Sequence, residues 1–121
     1  MNFLEKMRKI KEAEVKANSK RLPLAKLKQK VKKADHEFKK SLGKKGISLI
    51  AEFKKSSPSK GNINATASIG KFVQMYDLYA DAISILTEKK YFGGEIDLTQ
   101  IAKKFTKKPV MRKDFIIDEY Q

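Results

Sequence analysis

Apolar residues in the first third of the chain recur at helical rather than strand spacing. Leu4, Met7 and Ile10 stand three apart with charged residues between them, which predicts an amphipathic helix. A second pattern opens at Pro23, a residue suited to a first helical turn, and runs through Leu24, Leu27, Val31 and Ala34. Phe38 and Leu42 lie four apart, and Gly43 follows as a stop. Each apolar stripe is narrow, so these helices need a surface to lie against.

From residue 47 the texture changes. Ile47 to Phe53 is a short apolar run suited to a buried strand. A polar stretch, 54–68, separates it from a helical pattern carried by Ile69, Phe72, Val73, Tyr76, Tyr79 and Ala80. A second apolar run, Ala82 to Leu86, ends in Thr87, Glu88, Lys89 and Lys90. Gly93 and Gly94 read as a turn, and a further helical pattern follows through Ile96, Ile101, Ala102 and Phe105. A third run, Pro109-Val110-Met111, ends in Arg112, Lys113 and Asp114. Strands alternating with helices predict an α/β fold, a parallel sheet joined by right-handed crossovers. Three strands taken alone would present unpaired edges on the first and third.

All three strands finish in polar or charged residues. In parallel α/β folds the C-terminal strand ends carry the ligand-binding loops. Strands must also reach solvent somewhere, so polar ends leave a binding site and a plain strand ending both open. Glu52, Lys54, Lys113 and Asp114 become candidates because they fall at or within strand ends rather than out in loops.

Composition narrows the classes. A chain of 121 residues suits one domain. It has no cysteine, which excludes disulfides and thiolate metal sites, and its one histidine, His36, expected on a helix surface, cannot build a multi-histidine centre. No apolar run approaches a membrane span, and MNFLEKMRKIKEAE lacks the apolar core of a signal peptide, so a cytoplasmic setting is expected. The net charge of +14 is uneven: residues 1–46 hold 16 Lys/Arg against 5 Asp/Glu. The excess is lysine, with arginine only at Arg8, Arg21 and Arg112. Base reading favours the arginine fork, and single-strand binding wants interleaved aromatics, of which residues 1–46 offer Phe3 and Phe38 alone. A solvated lysine-rich helical surface is the favoured reading, and a basic nucleic-acid-binding protein the lesser alternative.

Three segments carry more than pattern. LIAEFKKSSPSKG, SILTEKKYFGG and PVMRKDFIIDEYQ resemble, in order and spacing, signature segments of the indole-3-glycerol-phosphate synthase family. RLPLAKLK, upstream of the first strand, is similar to that family's helical extension. The resemblance implies a (β/α)8 TIM barrel that closes a ring in 1-(2-carboxyphenylamino)-1-deoxyribulose 5-phosphate, with loss of carbon dioxide and water. Lys113, just before Asp-Phe, matches the family's general acid, a role that burial near other cations suits by lowering a lysine pKa. Lys54 matches a lysine that contacts the anionic substrate, and Glu52 a carboxylate that holds both lysines and assists proton movement. Phe92 and Phe115 match aromatics packed around the anthranilate ring, and Ser57 lies in the matched turn near the substrate. No cofactor, metal or membrane is implied.

A complete barrel needs roughly 200 or more residues. The chain is therefore expected to supply a partial barrel: a helical extension over 1–46, then the first three strands and two intervening helices over 47–121. The family's general base comes from a later strand, so this portion alone is expected to bind substrate weakly and turn it over negligibly. The expected partners are the phosphorylated substrate and either the rest of the barrel or copies of the chain. In the last case it would be a self-associating, catalytically dead half-barrel.

Overall fold

A computed structural model describes residues 1–63 and 68–121. The chain forms two compact units, one of residues 1–34 with 115–121 and one of residues 35–114. In the first, α1 (Phe3–Arg21) starts where Asn2 and Glu5 cap each other: each side chain accepts the other's backbone N–H at 2.9 Å. Met7 and Lys11, one turn apart, are its buried positions. Several basic residues find carboxylates at helical spacing, Arg8 to Glu12 at 2.9 Å and Lys11 to Glu14 at 2.8 Å.

The helix that opens after Pro23, α2 (Leu24–Lys30), is shorter than its apolar pattern predicts. Val31 and Ala34 fall outside it, and Val31 is 70% exposed. No residue of α2 is buried, so nothing holds further turns of a short helix together. The terminal segment 115–121 folds on itself through Gln121, whose Oε1 accepts the N–H groups of Ile117 (2.8 Å) and Asp118 (3.2 Å). Tyr120 ties it back by donating its hydroxyl to the Leu22 carbonyl at 2.8 Å.

The second unit opens with α3 (Glu37–Leu42), preceded by exposed His36 in the left-handed region at φ 54°. Beyond it, β1 (Ile50–Phe53), β4 (Ala82–Leu86) and β5 (Val110–Lys113) form a parallel sheet in the order β1-β4-β5. Between β1 and α4 (Ile69–Tyr79) lies a small antiparallel hairpin, β2 (Ser56–Ser57) with β3 (Gly61–Asn62), inside the polar stretch 54–68. Residues 64–67 of that stretch lie outside the described residues. Two-residue strands are too short to leave a periodic signal.

β1 is also shorter than its apolar run, and Ile47 is 94% exposed. Its partner explains the difference. β4 pairs Ala82 with Ile50, and one residue earlier Asp81 turns its carboxylate to the Leu49 N–H (2.8 Å) and to the Lys44 ammonium. The last backbone bonds on this side run from the Asp81 and Ala82 N–H groups to the Leu49 carbonyl, at 2.8 and 3.3 Å. Between β4 and β5, α5 (Leu98–Ala102) covers only the middle of its predicted span. Ile96 precedes it and is exposed; Phe105 follows it and lays its ring against Gly70, where a Cβ would come within 2.9 Å.

The core lies between this sheet and its two crossover helices. Phe53, Ile83 and Ile85 face Val73, Leu98 and Ala102 of the two crossover helices, with Ala51, Phe72, Ile101 and Val110 packed around them. β4, central and covered, is buried at all five positions. Burying each isoleucine stabilises the unit by about 1.5–3 kcal/mol. No helix among the described residues is long and apolar enough to cross a membrane.

Asp81 gives the fold a pH signature. The Lys44 ammonium and then the Leu49 N–H hold its carboxyl below the usual carboxylate range. A depressed folded-state value means that the unfolded chain binds this proton more tightly. The contribution is thus complete at neutral pH, begins to fall near the ordinary carboxylate value, and is gone below the depressed one. Urea midpoints followed from pH 7 to pH 2 should drop through that acid window, and Asp81→Asn should flatten the drop while lowering the neutral midpoint.

Candidate active site

The side of the sheet opposite the helices is where chemistry collects. Side chains alternate along a strand, so with Phe53, Ile83 and Ile85 in the core, Glu52 and Ser84 point the other way. The parallel register sets Glu52 beside Ser84 and Leu86 beside Lys113. Glu52 Oε2 accepts from the Ser84 hydroxyl at 3.1 Å and from Lys113 Nζ at 2.9 Å. Lys54, just past the end of β1, brings its Nζ to 3.7 Å from Glu52 Oε1. One carboxylate thus gathers two ammonium groups from opposite edges of the sheet. Tyr76 of α4 steadies the backbone there, donating to the Glu52 carbonyl at 3.1 Å. Its own burial and the nearby Glu52 charge push its phenol up.

The ammonium groups stay open. The Lys113 side chain is 53% exposed and lies against an anion, in place of the expected burial near other cations. An exposed ion pair of this kind is weakly stabilising, and it leaves both lysines free to exchange Glu52 for an incoming anion. The chemistry on offer is two cationic contacts, a proton donor at Lys113 Nζ, and a carboxylate that holds their separation.

Lys113 is flanked by a tighter network. Asp114, its side chain 1% exposed, accepts from the Thr87 hydroxyl at 2.7 Å and from Arg112 Nη2 at 3.2 Å. Arg112 Nε in turn donates to Thr87 Oγ1 at 3.0 Å, and the Thr87 N–H donates to the Lys113 carbonyl at 3.0 Å. Asp114, read as one more charged strand end, is thus a buried tie between the ends of β4 and β5. Lys113 stands between two residues that cannot easily move.

The loop after β4 is built on Glu88. This carboxylate is fully buried and accepts the N–H groups of Lys90 (2.8 Å), Tyr91 (2.7 Å) and Phe92 (3.1 Å). Gly93 takes φ 65°, and a Cβ on Gly94 would sit 2.5 Å from the Leu86 carbonyl oxygen, so the glycine pair closes the loop onto its own strand. Phe92 is half-buried in this loop. Ser57 is buried in β2, where its hydroxyl accepts the Lys60 N–H at 3.1 Å and closes the hairpin turn. Phe115 belongs to the other unit, where its ring meets Phe3 edge-on at 6.0 Å.

Of the residues singled out from the sequence, Lys54 and Lys113 each meet Glu52. Sequence reasoning missed Ser84, Thr87, Glu88 and Ser56. Ser84 had a signal, since a lone serine breaks an otherwise apolar run at the position paired with Glu52. Glu88 had only its place beside a strand end.

Comparison with known proteins bears directly on this arrangement. Residues 4–121 match the family model described as indole-3-glycerol phosphate synthase. Over 85 residues the chain is 53% identical to the indole-3-glycerol phosphate synthase of Clostridium acetobutylicum, covering 69% of this chain and 32% of that protein. It is 40% identical over 119 residues to the tryptophan biosynthesis protein TrpCF of Buchnera aphidicola subsp. Schizaphis graminum, covering 98% of this chain and 26% of that one. The corresponding protein of Haemophilus influenzae is 39% identical over 110 residues, 88% of this chain and 23% of its own length. The chain thus spans about a third or less of the length of these curated relatives. With a match over nearly all its residues and a parallel sheet whose strand ends gather Glu52, Lys54 and Lys113, the chain belongs to the indole-3-glycerol phosphate synthase family.

Proposed function

We propose that this chain supplies the acid side of a ring-closing synthase site in tryptophan biosynthesis, on the first three strands of a (β/α)8 barrel. The observation that carries the reading is the 2.9 Å bond between Lys113 and Glu52, two residues brought together from opposite edges of the sheet. Lys113 protonates the carbonyl of 1-(2-carboxyphenylamino)-1-deoxyribulose 5-phosphate as the ring closes. Lys54 contacts the substrate's anionic groups, and Glu52 keeps the two lysines apart and passes protons between them. Phe92 packs against the anthranilate ring, and Ser57 shapes the turn near it. No cofactor enters this scheme, and a cytoplasmic setting suits a soluble biosynthetic step.

The general base of this chemistry belongs to a later strand in the family. Its partner is therefore the remaining strands of a barrel, which would also pair the outer edges of β1 and β5. Copies of the same chain are the poorer partner, because a net charge of +14 on each sets them to repel. Titrating the isotopically labelled chain with the substrate tests the reading. Amide shifts are expected at Glu52, Lys54, Phe92 and Lys113; shifts confined to residues elsewhere, or none at millimolar substrate, would defeat it.

A further inference from the structure

We propose that Glu88 is a positioning residue that sets the loop carrying Phe92 for the aromatic ring of the substrate. The proposal rests on the reading of Phe92 given above. A carboxylate with no exposure to water is costly to bury, and the cost is offset here by backbone amides. Oε1 takes the N–H of Lys90, while Oε2 takes those of Tyr91 and Phe92. Three consecutive amides converging on one anion form a nest, and a nest fixes the backbone of every residue in it.

The outward side of the same loop is also held. The Tyr91 carbonyl accepts from the Ser56 hydroxyl at 3.1 Å, and the Phe92 carbonyl accepts from the Ser56 N–H at 3.3 Å. Phe92 is therefore gripped at both ends of its own residue, by Glu88 at the amide and by Ser56 at the carbonyl. At the far end of the loop, the Gly94 N–H donates to the Glu88 carbonyl at 2.8 Å. An ordinary surface turn needs none of this. A loop whose aromatic side chain must already be in place before a ligand arrives does, because ordering it afterwards would weaken binding.

Glu88→Gln keeps the shape and removes one of the two acceptor oxygens, so it cannot satisfy all three amides. Hydrogen exchange, read residue by residue in the labelled chain, separates a local effect from a global one. Amides 90–92 should exchange at least about tenfold faster, while Ile83, whose N–H donates to Pro109 in the sheet, should keep its protection. Substrate affinity in the same sample should fall about tenfold, the cost of ordering a loop that is no longer preset. Unchanged exchange at 90–92 would overturn the proposal, as would a loosened loop that binds substrate as tightly as before. Parallel loss of protection at Ile83 would mean a merely structural role and would overturn it too. If the wild-type chain binds no substrate, the reading of Phe92 falls by itself, and the exchange rates still report whether Glu88 holds the loop.

Discussion

Lys113→Met in a barrel completed by the later strands of a relative should lower turnover about 10²–10⁴-fold, the range lost when a general acid is removed. Methionine keeps the length of the side chain and removes the proton and the charge. Substrate affinity should change far less, because the substrate contacts proposed for Lys54 and the aromatic side chain are left in place. Lys113→Arg separates the two properties of the lysine. It restores a cation beside Glu52, but a guanidinium does not give up its proton in proteins, so turnover should stay low while affinity recovers. Steady-state kinetics on the three proteins would show the loss in kcat. A loss confined to KM would make Lys113 a binding residue instead.

The largest effect on stability is expected at the neighbouring carboxylate. Asp114→Ala removes a side chain that is 1% exposed and takes from Arg112 and Thr87 the group to which both donate. Breaking a buried, charge-assisted network from one side costs roughly 2–4 kcal/mol, more than deleting a surface ion pair of the same composition. Asp114→Asn keeps an acceptor for the Thr87 hydroxyl and should cost less. Urea unfolding of the two variants gives the ordering. Equal midpoints for wild type and Asp114→Ala would mean that the network carries no load at the ends of β4 and β5.

Much of this was legible in the sequence, for physical reasons that can be named. The strands of the parallel sheet announced themselves because covered strands must be apolar, and AISIL is buried throughout. Their ends announced themselves because Glu52, Lys54 and Lys113 interrupt or close apolar runs at the one end of such a sheet where ligands bind. What stayed hidden depends on partners distant in sequence. Nothing in ISLIAEF says that the ladder stops at Ile50, because Asp81 sets that limit from across the sheet. Nothing in LTEKKYFGG separates the buried Glu88 from a solvated one, since its partners are backbone amides and any sequence has those. Ser84 lay between these cases, a polar residue in an apolar strand whose meaning needed the register that sets it beside Glu52.

The central claim is that β1 and β5 carry half of a working site, with Lys113 as its acid. Mixing the chain with the later strands of the Clostridium acetobutylicum relative and following indole-3-glycerol phosphate by fluorescence tests it most directly. The account predicts that product appears only when both pieces are present and that Lys113→Met abolishes nearly all of it. A stable complex that makes no product, or one whose rate is indifferent to Lys113→Met, would contradict it.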